Sequence, residues 1–315
     1  MEILCIGEIL IDLTQTGVDE AGVPQFAANP GGAPANLAVA AARLGGHAAF
    51  AGRAGEDAFG RYLRRTLQEN GVDTSALRLD PDHPTTLAVV SVDGRGERAF
   101  SFYRRQCADM MLTEADLPRP LLEQAKLVHF GSVSLTEPPA RDATLAAVRL
   151  AKHLGKTVTY DPNYRHRLWK SKEQAVQHMR EPLDWVDVLK VSEEELPLLS
   201  GVSGLEQGAA ALAGRGIPLV LVTLGGRGAY YRFGGRTGQL PGVPCTVGDT
   251  NGAGDTFFGA VLAKLAPLGL ANLTEAALRE ILAFANQAAS LTASRRGAIP
   301  AMPTLDQVER ALAVR

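Results

Sequence analysis

Gly248-Asp249-Thr250-Asn251-Gly252-Ala253-Gly254-Asp255-Thr256-Phe257-Phe258-Gly259-Ala260 is a stretch in which small residues run directly into an apolar segment. At the start of a helix several backbone N–H groups have no partner within the helix, and the helix dipole favours negative charge there. Gly252, Ala253 and Gly254 would let a bulky anion approach these groups, so the stretch predicts an anion hole suited to phosphate. Taken alone, it is also compatible with a plain turn in which Asp255 is an ordinary first-turn acid.

Outward from this stretch, short β-type runs alternate with helical segments. The predicted strands are Ile3–Ile6, Ala48–Ala51, Leu127–Phe130, Thr157–Tyr160, Val186–Val191 and Leu219–Leu224. Several of them are continuously apolar, as expected of parallel strands covered on both faces. The clearest predicted helices are Pro34–Leu44, Gly254–Lys264 and Thr274–Ser290. This alternation predicts an α/β fold with a doubly wound, mostly parallel sheet.

Two segments, at about residues 9–31 and 85–104, lack this rhythm. In the second, Thr85–Val92 and Arg98–Tyr103 flank the turn-rich Asp93-Gly94-Arg95-Gly96, which predicts a β-hairpin. We interpret the two segments as a small sheet that projects from the main domain. Because no linker or composition shift interrupts the chain, residues 1–315 are predicted to form a single domain with a discontinuous β lid.

The composition narrows the function classes. Lys and Arg total 32 against 34 for Asp and Glu, a balance that argues against a dedicated nucleic-acid binder. The most apolar stretches are shorter than the roughly 18 residues that a membrane-spanning helix needs. The N-terminal residues lack the features of a signal peptide, and the three cysteines are far apart. These features lead us to expect a cytoplasmic protein that binds neither nucleic acid nor membrane.

A second motif, Asn29-Pro30-Gly31-Gly32-Ala33-Pro34-Ala35-Asn36, places paired glycines before a proline-started helix. Asn36 would lie in the first turn of that helix, where its amide could face a polyol. Taken alone, this motif is also compatible with a tight turn capped by small residues.

The two motifs together resemble the two signatures of the PfkB, or ribokinase-like, family of carbohydrate kinases. They occur in the expected order, and the resemblance extends from Cys5-Ile6-Gly7-Glu8 to Arg296-Gly297-Ala298-Ile299-Pro300. Within the family, Phe102-Tyr103-Arg104, Ala108-Asp109-Met110 and Asp161-Pro162-Asn163-Tyr164-Arg165 look most like bacterial fructokinases. The resemblance implies a ribokinase-like α/β domain with a small β-sheet lid, with sugar bound between lid and domain and ATP along the carboxyl edge of the sheet.

The resemblance also implies roles for individual residues. Asp255 would be the general base for the sugar hydroxyl, and the N–H groups of Gly252, Ala253 and Gly254 would hold the transferring phosphoryl group. The implied sugar contacts are Asp12, Gly31, Gly32, Asn36, Arg104, Asn163 and Arg165. Carboxylates and amides suit a neutral polyol, because together they accept from and donate to hydroxyl groups.

For the nucleotide, the implied contacts are Lys190, Ser192, Thr223, Gly225, Gly228, Asn286 and Ser290. Magnesium is expected with ATP, held mostly by phosphates and water, with Glu195 reaching it through water. The family's Asn-x-x-Glu motif has Ser192 in place of Asn here. A potassium or other monovalent cation site is implied near Asp249, Asn251, Thr292, Arg295 and Gly297.

The function expected from the resemblance is transfer of the γ-phosphate of ATP to the 6-hydroxyl of D-fructose. The alternatives within the family are a 2-keto-3-deoxygluconate kinase, for which Arg104 and Arg165 could supply charge, a ribokinase and a nucleoside kinase. From a different class, the chain could be a non-catalytic sugar or nucleotide sensor, although retention of Asp255 argues against this. A homodimer joined through the lid sheets is expected, because an exposed small sheet has edges and a face to cover.

Overall fold

A computed structural model describes residues 1–92 and 98–314, and the predicted turn at Asp93-Gly94-Arg95-Gly96 lies outside the described residues. The strands are β1 Ile3–Ile6, β2 Leu10–Val18, β3 Pro24–Gly31, β4 Ala48–Gly55, β5 Asp73–Asp80, β6 Leu87–Val92, β7 Arg98–Tyr103, β8 Leu127–Gly131, β9 Thr157–Asp161, β10 Val188–Ser192, β11 Leu219–Thr223, β12 Ala229–Phe233 and β13 Arg236–Leu240. The helices are α1 Ala33–Arg43, α2 Ala58–Glu69, α3 Arg119–Gln124, α4 Ala140–His153, α5 Lys172–Arg180, α6 Leu196–Ser200, α7 Leu205–Ala213, α8 Ala253–Leu268, α9 Glu275–Ala293 and α10 Leu305–Ala313.

Nine of the strands within 1–92 and 98–314 form one large sheet in the order β13-β12-β11-β10-β9-β8-β1-β4-β5. The strands from β11 to β5 in this order are parallel to their neighbours, whereas β12 and β13 are antiparallel at one edge. The predicted doubly wound, mostly parallel sheet is therefore confirmed.

Helices cover both faces of this sheet, which explains the continuously apolar strands. In β1, Ile3 and Cys5 belong to a core shared with α1, α8 and α9, while Leu4 and Ile6 belong to the core on the opposite face with α4 and α5. Residues of either parity along such a strand must then be apolar. No helix in the described part of the chain has both the length and the apolar character that a bilayer span requires.

The remaining four strands form the small sheet, in the order β3-β2-β6-β7. Strands β2 and β6 are parallel to each other, and each has an antiparallel partner, β3 and β7 respectively. The predicted small sheet is confirmed, with its strands within the two segments that interrupt the β/α alternation.

The strand order places a topological switch point beside β1. In the large sheet, β1 has β4 as its neighbour on one side and β8 on the other side. The strand order therefore reverses direction at β1. Ligands of open α/β sheets bind in the crevice outside the carboxyl ends of strands at such a point. The small sheet begins at Leu10, four residues after β1 ends at Ile6, so it stands next to this crevice.

Candidate active site

A cavity of about 390 Å³ opens between the carboxyl ends of the parallel strands and the small sheet. Its lining from the small sheet and the β1 end consists of Glu8, Leu10, Asp12, Val90 and Phe102. Its lining from the main domain consists of Gly32, Ala33, Asn36, Val133, Asn163, Tyr164, Arg165, His166, Arg167, Leu168, Asn251 and Asp255. The volume is within the range of sites for small organic molecules.

Asp255 lies on the wall of this cavity in the first turn of α8. Its carboxylate is buried and accepts hydrogen bonds from Asn36 Nδ2 at 2.8 Å and from Asn163 Nδ2 at 3.3 Å. Burial raises the pKa of Asp255, while the bond from Asn36 and the positive charges of Lys190 and Arg165 act in the opposite direction. The two amides fix the orientation of a carboxylate that is close to the ends of β1 and β9 in space but far from them in sequence.

A second cavity of about 300 Å³ adjoins the first. Its lining is Thr14, Val90, Asn163, Arg165, Lys190, Asp249, Thr250, Asn251, Gly252, Gly254 and Asp255. Asp255 therefore lines both cavities, and the second one contains the N-terminus of α8. First-turn N–H groups and the dipole of this 16-residue helix favour an anion there, although the N–H of Ala253 donates to the carbonyl of Thr250 over 3.3 Å.

The glycines at this helix start have specific reasons to be glycine. Gly252 has φ +74°, and a Cβ atom on it would lie 2.9 Å from the Cβ of Ala298. A Cβ on Gly254 would lie 3.1 Å from Lys190 Nζ. Because Gly252 and Gly254 have no side chains, the approach to the N–H groups stays open. The ammonium group of Lys190 can also lie close to the backbone at Gly254.

Lys190 is the buried cation of the second cavity. It lies in β10, and its ammonium donates to Asp161 Oδ2, at the end of β9, over 2.7 Å. Burial lowers the pKa of Lys190, but the attraction of Asp161, Glu195 and Asp255 outweighs this, and the pKa is raised overall. Burial raises the pKa of Asp161 to about 6 in spite of Lys190. The sequence analysis gave Asp161 no role. Its position directly after the predicted strand Thr157–Tyr160 could have indicated a site residue at the carboxyl edge of the sheet.

The diglycine turn and Asp12 form the side of the first cavity that faces the small sheet. A Cβ on Gly31 would lie 2.5 Å from Asp12 Oδ2, and one on Gly32 would lie 2.6 Å from the carbonyl oxygen of Glu8. Gly32 also has φ +103°. Burial raises the pKa of Asp12 to about 6, with the positive charge of Arg165 opposing. The structure thus brings together the sequence-predicted Asp12, Gly32, Asn36, Asn163, Arg165 and Asp255 as lining of one cavity.

Glu8 lines the same cavity and was missed as a site residue. Its Oε1 accepts the N–H of Ala33 over 3.0 Å, and burial raises its pKa to about 7. Within the described part of the chain, Glu8 Oε2 and Asn36 Oδ1 are buried without a hydrogen-bond partner. The ligand class follows instead from the carboxylates and amides in the lining, such as Asp12, Asn163 and Asp255, which can accept from and donate to hydroxyl groups. The cavity therefore suits a ligand rich in O–H groups.

Arg104 was predicted to contact the sugar, but it does not line the first cavity. Its guanidinium donates to Asp109 Oδ2 at 2.7 Å, to Thr136 Oγ1 at 2.8 Å and to the carbonyl of Val133 at 3.2 Å. Arg165, by contrast, is exposed and lines both cavities. Sequence pattern alone could not distinguish these two arginines, because their partners come from distant segments.

The remaining predicted nucleotide contacts do not line either cavity. Asn286 is buried in α9, and its amide donates to the carbonyl oxygens of Leu240 and Pro241. The others are Ser192 and Thr223, the last residues of β10 and β11, Gly225 and Gly228 in the turn after β11, and Ser290 in α9. Their contact with a nucleotide stays a prediction.

The predicted metal residues form two groups. Glu195 is buried, and its two oxygens accept the N–H groups of Tyr164 and Ser192. In the second group, Asp249 Oδ2 accepts the N–H of Gly297 and its Oδ1 accepts the N–H of Asn251. Thr292 is buried in the last turn of α9, and its carbonyl accepts the N–H of Arg295. The bond from Gly297 to Asp249 thus joins the loop of Asp249 and Asn251 to the segment that follows α9.

Comparison with known proteins bears on this arrangement. The family model described as "pfkB family carbohydrate kinase" matches residues 1–305. The chain belongs to the pfkB family of carbohydrate kinases. This pfkB kinase is 42% identical to "Fructokinase-1" of Oryza sativa subsp. japonica over 305 residues. The aligned region covers 96% of this chain and 94% of that protein.

Solved structures similar to this pfkB kinase include three fructokinase crystal structures. That of Xylella fastidiosa with bound ATP has a TM-score of 0.93 at 33% identity, covering 99% of this chain and 98% of that one. That of Vibrio cholerae O395 with fructose, ADP and calcium ion has a TM-score of 0.87 at 34% identity, covering 98% of each. A double mutant of the latter with fructose, ADP and potassium ion has a TM-score of 0.89 at 34% identity, covering 98% and 97%. The predicted family and fold are confirmed.

Proposed function

We propose that this pfkB kinase transfers the γ-phosphate of ATP to the 6-hydroxyl of D-fructose. The observation that supports this best is the position of Asp255, which lines both an acceptor-rich cavity and a cavity at a helix N-terminus. A sugar in the first cavity and a triphosphate in the second would meet at its carboxylate. Relatives and structural neighbours named as fructokinases support the choice of fructose.

The proposed reaction uses Asp255 as the general base. Its carboxylate accepts the proton of the sugar hydroxyl while that oxygen attacks the γ-phosphorus, and the bond from phosphorus to the ADP oxygen breaks. The N–H groups of Gly252, Ala253 and Gly254, with Lys190 beside them, stabilise the charge of the transferring phosphoryl group. Asn36 and Asn163 keep the base oriented.

The charges of the first cavity favour a neutral polyol over a keto acid. Asp12 and Asp255 line it, and a substrate carboxylate near them would be repelled. Its cationic residues, Arg165 and Arg167, are exposed. Because the guanidinium of Arg104 is bonded to protein acceptors, it is a poor candidate to pair with a substrate carboxylate.

Metal ions complete the proposal. Among the described residues, no group of three or more His, Cys, Asp or Glu side chains could hold a metal by itself. This fits Mg²⁺ bound mainly through ATP phosphates and water, with Glu195 reaching the ion through water. The ion would neutralise phosphate charge. We also propose a monovalent cation, with K⁺ the first candidate, at the loops of Asp249 and Gly297.

Two further features belong to the proposal. We infer a homodimer joined through the small sheets, and a single domain over residues 1–315 with the small sheet as its lid. The expected cytoplasmic location stays a prediction.

The decisive test measures ATP consumption with Mg²⁺ and K⁺ on fructose, ribose, glucose, 2-keto-3-deoxygluconate and adenosine. Fructose is expected to have the highest kcat/KM. Turnover of 2-keto-3-deoxygluconate alone would contradict fructose as the substrate but would agree with the proposed mechanism. Binding of ATP and sugar by calorimetry with no turnover of any compound would favour a sensor instead.

A further inference from the structure

The segment from Phe102 to Met110 contains two of the fructokinase-like motifs, yet most of it takes no part in phosphoryl transfer. Arg104 directly follows β7, where the chain returns from the small sheet to the main domain. Asp109 lies five residues later in a short turn of 3-10 helix, Ala108–Met111. The two side chains form an ion pair with 4% and 1% of their surfaces exposed. A buried ion pair is costly unless its remaining hydrogen-bonding groups are satisfied, so the partners of this pair are informative.

Asp109 ties together both ends of the β6–β7 hairpin. Its Oδ1 accepts the hydroxyl of Thr86, which directly precedes β6, at 2.5 Å. Its Oδ2 accepts Arg104 Nε, directly after β7, at 2.7 Å. The N–H of Ala108 also donates to the carbonyl of Pro84 over 2.9 Å. One buried carboxylate therefore fixes where the hairpin leaves the main domain and where it returns.

Arg104 extends this attachment to a segment of the main domain that lines the first cavity. Its Nη1 donates to Thr136 Oγ1, and its Nη2 donates to the carbonyl of Val133, a residue that lines the cavity. Phe102, which also lines the cavity, is only two residues before Arg104 in the chain. The pair thus connects lining from the small sheet with lining from the segment after β8.

We propose that Arg104 and Asp109 are positioning residues that set the small sheet over the sugar cavity and thereby determine sugar affinity without touching the sugar. The inference rests on the proposed sugar-kinase function. Asp12 and Phe102 come from the small sheet, whereas Asn36, Asn163 and Asp255 come from the main domain. The hydroxyl groups of one sugar can contact the residues of the small sheet and those of the main domain only when the two groups of residues are correctly spaced. A displacement of about 1 Å in such a site weakens binding or slows the reaction.

The closing experiment compares Asp109→Asn with Asp116→Asn in steady-state kinetics. Asp116 is a matched control, because its side chain is only 6% exposed and pairs with arginines, Arg53 and Arg78, outside the attachment of the small sheet. We expect Asp109→Asn to raise the fructose KM about tenfold, with kcat within about threefold and the ATP KM unchanged. Asp116→Asn is expected to lower the melting temperature with no change in the fructose KM. An unchanged fructose KM in Asp109→Asn would overturn the inference.

Two milder variants keep the test decisive if Asp109→Asn does not fold. Thr86→Val removes one hydroxyl from the cluster and is expected to raise the fructose KM about threefold, in the same direction. Arg104→Lys keeps the charge but loses the fork of donors, and it should raise the KM as Asp109→Asn does. A direct sugar contact by Arg104 predicts a different result, in which Arg104→Lys raises the KM while Thr86→Val leaves it unchanged, and this would also overturn the inference.

Hydrogen exchange provides a readout that is independent of turnover. Amides of β6 and β7 are expected to exchange faster in Asp109→Asn, while those of β8 to β11 keep their wild-type rates. Uniformly faster exchange would indicate general destabilisation and contradict a positioning role. If the wild type does not phosphorylate fructose, the proposed function fails, but this measurement still decides whether the pair holds the small sheet.

Discussion

Asp255 and Asp142 provide a matched comparison, because each is an aspartate at the third position of a long helix. Asp142 has the same place in α4 but is exposed, whereas Asp255 is buried between Asn36 and Asn163. We expect Asp255→Asn to lower kcat at least ~10²-fold, because the amide cannot accept the hydroxyl proton. Asp142→Asn should leave kcat unchanged. Fructose-dependent ATP consumption checks both variants, and near-normal turnover in Asp255→Asn would remove it from the mechanism.

Two buried acids, Glu8 and Asp161, contribute to the pH dependence of stability. Asp12, whose pKa burial raises to about 6, acts in the same direction, while burial lowers the pKa of His129 to about 3 and this opposes them. Burial raises the pKa of Glu8 to about 7 and that of Asp161 to about 6, above their ordinary values of 4.5 and 3.8. Between the ordinary and the raised value the folded state binds more protons than the unfolded state, so stability falls as pH rises through this window. We expect the substrate-free protein to melt at a higher temperature at about pH 5.5 than at about pH 7.5. Glu8→Gln should reduce that difference, and a lower melting temperature at the acidic pH would contradict the assignment.

At the scale of elements, the predictable strands were those whose burial makes them continuously apolar. Strands β1, β8 and β11 were predicted to within a residue, because parallel strands covered on both faces have a strong sequence signal. Strands β5, β12 and β13 were not predicted; β13, with the sequence Arg-Thr-Gly-Gln-Leu, lies at the edge of the sheet and is mostly exposed. Short polar edge strands of this kind depend on their neighbours rather than on their own composition.

The same distinction applies to the site. Residues in local motifs, such as Gly252 and Asp255, could be located from the sequence together with the family resemblance. Contacts between distant segments could not, because a pattern does not show which buried groups meet. The ion pair of Lys190 with Asp161 and the attachment of Arg104 to Val133 are of this second kind.

The start of α8 gives a prediction at this scale. In Gly254→Ala the new methyl group would lie 3.1 Å from Lys190 Nζ and next to the helix N–H groups. We expect kcat to fall about tenfold or more and the ATP KM to rise, while the fructose KM stays unchanged, because only the anion hole is obstructed. Gly214→Ala is the control, since Gly214 has an ordinary helical φ of −63° at the end of α7. A raised fructose KM in Gly254→Ala would mean that the two cavities do not act separately.

At the scale of the whole molecule, the small sheet carries apolar surface with no partner within the described chain. Val18 and Tyr103 are 61% and 64% exposed, and Val23 and Phe26 are also exposed. Its outer strands β3 and β7 also present unpaired backbone groups at the sheet edges. A second copy of the chain could cover both kinds of surface, which is why we infer a homodimer through this sheet.

This inference predicts a sedimentation mass of twice the 33.4 kDa of one chain. Val18→Asp and Phe26→Asp would each place a charge in the interface, and burying an unpaired charge is strongly unfavourable, so these variants should sediment as monomers. Val202→Asp is the matched control, because Val202 is 37% exposed but lies between α6 and α7, on the large domain. A monomeric wild type would contradict the inferred dimer. A dimer that persists in both small-sheet variants and dissociates in Val202→Asp would place the interface on the large domain instead of the lid. If dimer formation also holds the small sheet over the sugar cavity, the monomeric variants should show a raised fructose KM at an unchanged ATP KM, the same pattern expected of Asp109→Asn.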